Sequence, residues 1–262
     1  MTSTGKPRRR RNFRDEHADW IRVACYVLSV VLALGFWQAT GNDFSVFFAS
    51  FSETLSELWQ LTVHGPIPRA LATSGGVFGT GLGISIVGGI GLGLALARSK
   101  WLAAAFEGYV YLLYSIPTIM LVPFIFILMG FGFWPQVLIV VLIAMFPVYL
   151  GVLEGARSIP QELLDVAAIY RSTERQLWAD VILPYVVPFA MTGVRQAIAL
   201  ALVGTLVAEF FLNTTGVAAI LLEGMTSVNA SEVLAVTLLV AIIAVVLVAL
   251  GQLVERWLVR WK

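Results

Sequence analysis

The chain of 262 residues has little charge, since only 13% of its residues are Asp, Glu, Lys or Arg and 59% are hydrophobic. An ordinary soluble domain has about 25% charged residues, so this shortage excludes a typical soluble fold. The mean hydropathy of +0.87 places the chain among membrane proteins. A net charge of +1 gives no reason to expect a nucleic-acid partner.

Residues that carry catalytic or metal chemistry are also scarce. The single Cys25 excludes an intramolecular disulfide, and His17 and His64 have no second ligand nearby in sequence. The chain has no H-E-x-x-H or G-x-S-x-G motif and no G-x-x-x-x-G-K-[ST] loop, because its only Gly-Lys pair lies in the N-terminal tail. We therefore predict no catalytic residues, no metal site and no cofactor bound by this chain.

Long apolar stretches are what the sequence has instead. Six of them reach the ~20 residues that cross a hydrocarbon core, at about 21–40, 72–97, 103–129, 134–153, 185–212 and 232–255. The predicted fold class is therefore an all-α polytopic membrane protein with six transmembrane helices, in which residues 1–20 form a basic tail and 21–262 a transmembrane domain. Apolar residues at helical spacing in 51–61 predict a short additional helix at the membrane interface.

The distribution of Lys and Arg predicts the orientation. If the N-terminus is inside, the inner segments are the tail, residues 98–104, residues 154–184 and the C-terminus. Together with Arg22, which directly follows the tail, they hold fifteen of the 17 basic residues. The outer segment 213–231 has no Lys or Arg. Because basic residues concentrate on the cytoplasmic side, both termini and residues 154–184 are predicted to be cytoplasmic.

Residues 154–184, here called the charged loop, interrupt the apolar sequence with DVAAIYRSTERQLWADVILP. Ser158 with Gln161 and Thr173 with Gln176 have the spacing of capping boxes, which predicts two short helices with Pro160 in the first turn of the first one.

The first predicted helix has an apolar face. Leu163, Val166, Ala167 and Tyr170 are spaced i, i+3, i+4 and i+7. Such a face either docks in the groove of a partner protein or lies on lipid, and the spacing alone does not choose between these interpretations.

The charged loop resembles the EAA loop of ABC-importer permeases. Asp165 stands in the acidic position, Val166 and Ala167 in the small positions, and Val181, Leu183 and Pro184 match the Ile-x-Leu-Pro ending. One departure is Arg171, which replaces the usual glycine between the two short helices, so that Arg171 must adopt the backbone of that glycine or shift the break to residues 172–173. The residues that the resemblance assigns to ATPase coupling are Pro160, Leu163, Leu164, Asp165, Val166, Ala167, Tyr170, Arg171, Leu183 and Pro184.

The resemblance extends over about residues 44–262 and is nearest to the nitrate/sulfonate/taurine class of these permeases. It is carried by EGYVYLLYSIPTIMLVP (107–123), GVLEGARSIPQELLDVA (151–167) and MTGVRQAIALALVGTLVAEF (191–210). YSIPTIM departs from the sulfonate-type pattern at Tyr114 and Thr118.

The resemblance implies a fold and a set of partners. The fold is that of a type I ABC-importer permease in the bacterial inner membrane, forming the path for a small solute such as a sulfonate, taurine or nitrate. The implied partners are a second permease copy, forming a homodimer, two ATPase subunits that hold ATP and Mg²⁺, an extracytoplasmic binding protein and the lipid bilayer.

Polar and helix-breaking residues within the apolar stretches are candidates for the translocation path: Tyr114, Ser115, Pro117, Thr118, Arg195 and Glu209. The prolines of the third stretch either line a pathway or simply kink the helix. Arg195 and Glu209 either lie on the path or at a gate, or they make structural hydrogen bonds between helices or across a dimer. The glycines of the second stretch predict close helix packing.

A stand-alone secondary transporter is the alternative function. It would need coupling residues near the membrane midplane. Of the charged residues in the sequence, only Arg195 is expected deep within the membrane, and no acidic residue is expected beside it at that depth. An intramembrane enzyme lacks the motifs it would need.

Overall fold

The computed structural model describes residues 13–43, 48–212 and 215–258, and its regular elements there are α-helices and one short π-helical segment. The predicted basic tail therefore falls largely outside the described residues. The elements are α1 (Phe13–Asp43), α2 (Phe51–Val63), α3 (Ile67–Arg98), α4 (Lys100–Ser115), α5 (Thr118–Met129), α6 (Phe133–Arg157), α7 (Gln161–Ile169), α8 (Glu174–Gln176), the π-helical segment (Leu177–Ile182), α9 (Leu183–Leu212), α10 (Val217–Thr226) and α11 (Ala230–Leu258). The all-helical class is confirmed.

Five helical segments of the described chain are long and apolar enough to cross a membrane. They are Trp20–Gly41, Ile67–Arg98, Phe133–Arg157, Glu174–Phe211 and Ala230–Trp257. A sixth crossing results only if α4 and α5 together form one broken span. The predicted interfacial segment 51–61 is the helix α2, which begins with a capping box between Ser50 and Glu53.

The third predicted span, 103–129, is not one helix, because α4 and α5 are bent by 97° relative to each other. The break follows from Pro117, which disfavours helical backbone in the residue before it. Ile116 is accordingly extended, at φ −77° and ψ 127°. Pro123, in contrast, lies inside α5.

The centre of the bundle is α6, which packs against both α3 and α9. Val140, Val148 and Ala197 from these contacts are completely buried. On α3 the glycines let the helices approach closely, since an added Cβ at Gly89 would lie 2.7 Å from Cβ of Val148 and one at Gly93 equally close to Cβ of Val152. The predicted close packing is confirmed at these positions, whereas an added Cβ at Gly79 would meet no heavy atom within 4 Å.

The end of the bundle opposite the charged loop is covered by the short helix α10, and we call it the α10 end. α10 connects α9 to α11 and begins after Gly216, whose φ is +89°. Ile67, Val217, Ile220 and Val236 form a buried apolar cluster there that joins α10 to α3 and α11. The two ends of the bundle therefore differ, with a covered α10 end and a projecting charged loop.

Candidate functional site

The charged loop folds as a helical hairpin. Its first arm is α7 and its second arm is α8 followed by the π-helical segment, which runs directly into α9. The predicted capping box of Ser158 and Gln161 is wrong, because Ser158 ends α6 and its hydroxyl donates to the carbonyl of Gly155. Pro160 is the N-cap of α7 instead, and the amide of Gln161 donates to the carboxylate of Asp165 at 3.0 Å.

The second predicted capping box is confirmed. The backbone N–H of Gln176 donates to Oγ1 of Thr173, and the backbone N–H of Thr173 donates to Oε1 of Gln176 at 2.9 Å. These bonds satisfy N–H groups that a helix start leaves unpaired. They fix the point at which the chain turns from the first arm into the second.

The turn between the arms is closed by a Schellman motif with Arg171 in the position where glycine is most common. The N–H of Ser172 donates to the carbonyl of Ala167 at 3.0 Å, and the N–H of Arg171 donates to the carbonyl of Ala168 at 3.0 Å. Arg171 has φ +52°, in the left-handed region. Of the two alternatives that the sequence leaves open, Arg171 thus adopts the backbone of the usual glycine.

Apolar side chains of α7 project away from the rest of the chain. Leu163, Val166 and Tyr170 are exposed by 42%, 49% and 80%, and Ile169 by 78%. The predicted face is wrong in one member, because Ala167 is 7% exposed and faces the rest of the protein. Leu164 is half-buried beside it, whereas Asp165 and Arg171 are exposed.

The hairpin is held to the bundle by contacts that the sequence did not indicate. Arg98, at the end of α3, pairs with Glu174 at 2.7 Å and lies over the ring of Trp178 at 5.7 Å from its centroid. The hydroxyl of Tyr185 donates to the carbonyl of Ser158 at 3.0 Å, which closes the base of the hairpin. The hairpin thus contacts α3 through Glu174 and Trp178, and its base is joined to α9 through Tyr185.

A bidentate ion pair joins the base of the charged loop to α4. Nη1 and Nη2 of Arg157 donate to the two carboxylate oxygens of Glu107 at 2.9 and 2.7 Å. Such two-point geometry is stronger and more directional than a single contact. The last turn of α6, where the hairpin starts, is thus linked to the helix that leads to the break at Pro117.

The second arm enters α9 through the π-helical segment. The N–H of Leu183 donates to the carbonyl of Trp178, five residues earlier. This wider turn lies directly before Pro184, which has no N–H to donate. Leu183 and Pro184 thus lie at the start of α9, where the sequence predicts return to the membrane.

Four of the path candidates lie together at the α4–α5 break. Tyr114, Ser115 and Pro117 are exposed and Thr118 is half-buried. The ring of Tyr114 lies 5.3 Å from that of Phe146 on α6, and the hydroxyl of Ser115 donates to the carbonyl of Tyr111. The break therefore forms an open surface with polar groups beside the central helix.

Arg195 forms an ion pair with Glu255 near the end of α11. The expectation that no acidic residue accompanies Arg195 is wrong, because α11 runs antiparallel to α9 and brings the carboxylate to it from 60 residues further along the chain. A partner so distant in sequence leaves no local pattern. The pair joins the fifth and sixth predicted spans.

Glu209 is a completely buried residue of α9 whose carboxyl group lies at the start of α10. Its Oε2 accepts from the N–H of Ala218 at 3.2 Å, while the N–H of Val217 donates to Oγ of Ser74 at 3.0 Å. Glu209 and Ser74 thus cap α10, a contact that joins α9, α10 and α3. In this single chain Glu209 faces α10 and has no exposed surface.

Beside this cap, a cavity of about 510 Å³ opens at the α10 end. Arg69 and Glu223 line it together with Thr73, Thr226 and Gly216. Within the described part of the chain, no three His, Cys, Asp or Glu side chains are grouped so that they could hold a metal ion.

The fold and the hairpin define a class, namely a polytopic helical membrane protein with a structured loop at one end of its bundle. Residues 86–262 match the family model described as binding-protein-dependent transport system inner membrane component, and the chain belongs to this family. It is thus the membrane-spanning permease component of an ABC importer in the inner membrane. The component is not itself catalytic and binds no cofactor, and the ATPase is a separate subunit.

Proteins similar to this chain are named for the transport of different solutes. The chain is 30% identical over 239 residues to the riboflavin transport system permease protein of Chloroflexus aurantiacus, covering 90% of this chain and 89% of that protein. It is 27% identical to a protein named as an aliphatic sulfonates transport permease in Escherichia coli, covering 92% and 93%. It is 22% identical to the nitrate import permease protein of Leptolyngbya laminosa, covering 85% and 83%. Family membership favours the importer over the stand-alone secondary transporter.

Proposed function

We propose that this permease is driven by a separate ATPase subunit that receives the hairpin of the charged loop in a groove. The observation that carries the proposal is the exposed apolar face of Leu163, Val166 and Tyr170 on a hairpin whose turn and base are fixed by hydrogen bonds. An apolar helix face of this kind is what a partner groove recognises. The positive-inside distribution supports a cytoplasmic position for the hairpin and both termini.

The links around the hairpin support a route for coupling. Arg98 ties the second arm to α3, and Arg157 ties the base to α4. When ATP binding closes two ATPase subunits, two docked hairpins move together. The ion pairs of Arg98 and Arg157 then move α3 and α4 together with the hairpins, so that the path opens to the outside. ATP hydrolysis resets the arrangement.

A second copy of this chain completes the path in our proposal, as a homodimer with two ATPase subunits. Polar groups and freed backbone at membrane depth are tolerated where they face protein or water. Tyr114, Ser115 and Pro117 present such groups on the open surface at the α4–α5 break. A partner copy over this surface would enclose them in a water-filled path.

The substrate is a small solute delivered by an extracytoplasmic binding protein. The relatives named for riboflavin, aliphatic sulfonates and nitrate support a small organic molecule or anion. The cavity lined by Arg69 and Glu223 at the α10 end supports delivery at that end, opposite the hairpin.

The docking proposal is tested with Val166→Glu, which places a charge on the exposed apolar face. We expect Val166→Glu to insert into the membrane in normal amounts but to retain little ATPase on purification. Asp180→Asn, at an exposed position on the second arm, is the matched control and should retain the ATPase. Equal ATPase recovery with Val166→Glu and with the wild-type chain would overturn the docking role. Ala167→Glu is a poorer test, since Ala167 is buried and the hairpin itself would be disturbed.

A further inference from the structure

Arg171 occupies a backbone conformation that side chains other than glycine adopt at a cost. Its φ of +52° and its place in the Schellman motif make it a position where glycine would be less strained. Since a glycine would close the same turn with less strain, the turn alone gives no reason for an arginine here. A role for the side chain itself would account for the arginine.

The side chain of Arg171 is exposed at the tip of the hairpin, beside Ile169 and Tyr170. In the part of the chain that the structure describes, neither Arg171 nor Arg175 forms an ion pair. The nearby carboxylate of Glu174 is bound by Arg98. The tip therefore carries an unneutralised positive charge next to the most exposed apolar side chains of the hairpin.

We infer that Arg171 strengthens docking of the partner ATPase by binding a carboxylate on the rim of the groove that receives the hairpin. This inference rests on the proposed function. A guanidinium presents a planar fork that matches a carboxylate, and the Schellman turn fixes the direction of the Cα–Cβ bond from which this side chain extends. A fixed direction serves a fixed acceptor on a folded protein, whereas attraction to an anionic lipid surface would need no strained position and is available to Arg175.

The experiment uses the full chain and the ATPase that copurifies with the wild-type chain. Binding is measured in nanodiscs of neutral phosphatidylcholine and, in parallel, in nanodiscs that also contain phosphatidylglycerol. Arg171→Gly relieves the backbone strain and removes the charge. It should leave thermal stability unchanged or raise it, while binding of the ATPase weakens about tenfold to hundredfold, as for loss of a charge-assisted hydrogen bond. Arg171→Glu should bind still more weakly, and Arg171→Lys should fall between wild type and Arg171→Gly. Arg175→Gln is the matched control and should bind as wild type does.

Three outcomes would overturn the inference. If Arg171→Gly binds the ATPase as tightly as the wild-type chain, docking stands but Arg171 has no role in it. If the loss appears only in nanodiscs that contain phosphatidylglycerol, the acceptor is lipid. If no ATPase copurifies with the wild-type chain, the proposed function itself fails, and the inference fails with it.

Discussion

Replacing Gly216 by alanine should destabilise the α10 end of the protein. Gly216 has φ +89° and ψ −176°, a region almost exclusive to glycine in which another residue costs about 1–3 kcal/mol. The added Cβ would also overlap the buried carboxyl group of Glu209, and overpacking of this kind costs about 1–3 kcal/mol. The two costs together amount to about 2–6 kcal/mol, or a decrease in Tm of about 5–20 °C for a chain of this size.

The assay is thermal unfolding of the purified chain, followed by its tryptophan fluorescence. Gly79→Ala is the control, because its added Cβ would meet no heavy atom within 4 Å and alanine favours a helix by about 0.5–1 kcal/mol over glycine. A Tm for Gly216→Ala within about 2 °C of wild type, equivalent to less than about 1 kcal/mol, would refute the description of Glu209 and Gly216 as a tightly packed cap.

Three further changes test other contacts. Gly193→Ala would place its Cβ against the carbonyl oxygen of Pro147 and should lower Tm through overpacking by about 1–3 kcal/mol; an unchanged Tm would contradict the close α6–α9 contact. Arg195→Gln alone should be more destabilising than the double variant Arg195→Gln with Glu255→Gln, by about 1 kcal/mol, because the single change leaves Glu255 without its partner. Thermal unfolding of both single variants and the double variant measures this, and a double variant whose loss of stability equals the sum of the two single losses would contradict the ion pair. Thr173→Ala removes a helix cap worth about 1 kcal/mol and should speed proteolysis of the charged loop. Equal cleavage rates for Thr173→Ala and the wild-type chain would contradict a stabilising role of this cap.

The features that the sequence predicted well depend on local patterns. The long apolar stretches, the charged loop and the capping box of Thr173 and Gln176 each follow from residues within a few positions of one another. Helical periodicity and capping chemistry act over the same short range. The glycines of α3 also predicted close packing, since small residues serve the same purpose wherever helices cross.

The features that the sequence missed depend on the tertiary arrangement. Helical spacing groups Ala167 with Leu163 and Val166, but only packing against the rest of the protein decides which side of that face is covered. Ser158 has the spacing of an N-cap, yet α6 extends to Arg157 and uses Ser158 as its end. Glu255 reaches Arg195 only because α9 and α11 are antiparallel neighbours.

The position of the α4–α5 break was predictable from the sequence, but its angle was not. Pro117 indicated a disturbed helix, and a proline at this position is compatible both with a slight kink and with the 97° bend that the structure has. The residues next to Pro117 fix the position of the break but not its angle, so the sequence alone leaves the size of the bend open.

The central claim, that the charged loop couples this permease to a separate ATPase, is tested most directly by purifying the wild-type chain in a gentle detergent and identifying its companions by mass spectrometry. We predict recovery of an ATPase with a G-x-x-x-x-G-K-[ST] loop at one copy per permease chain. Recovery of the chain without any ATPase, with the hairpin protected only by lipid, would contradict the account.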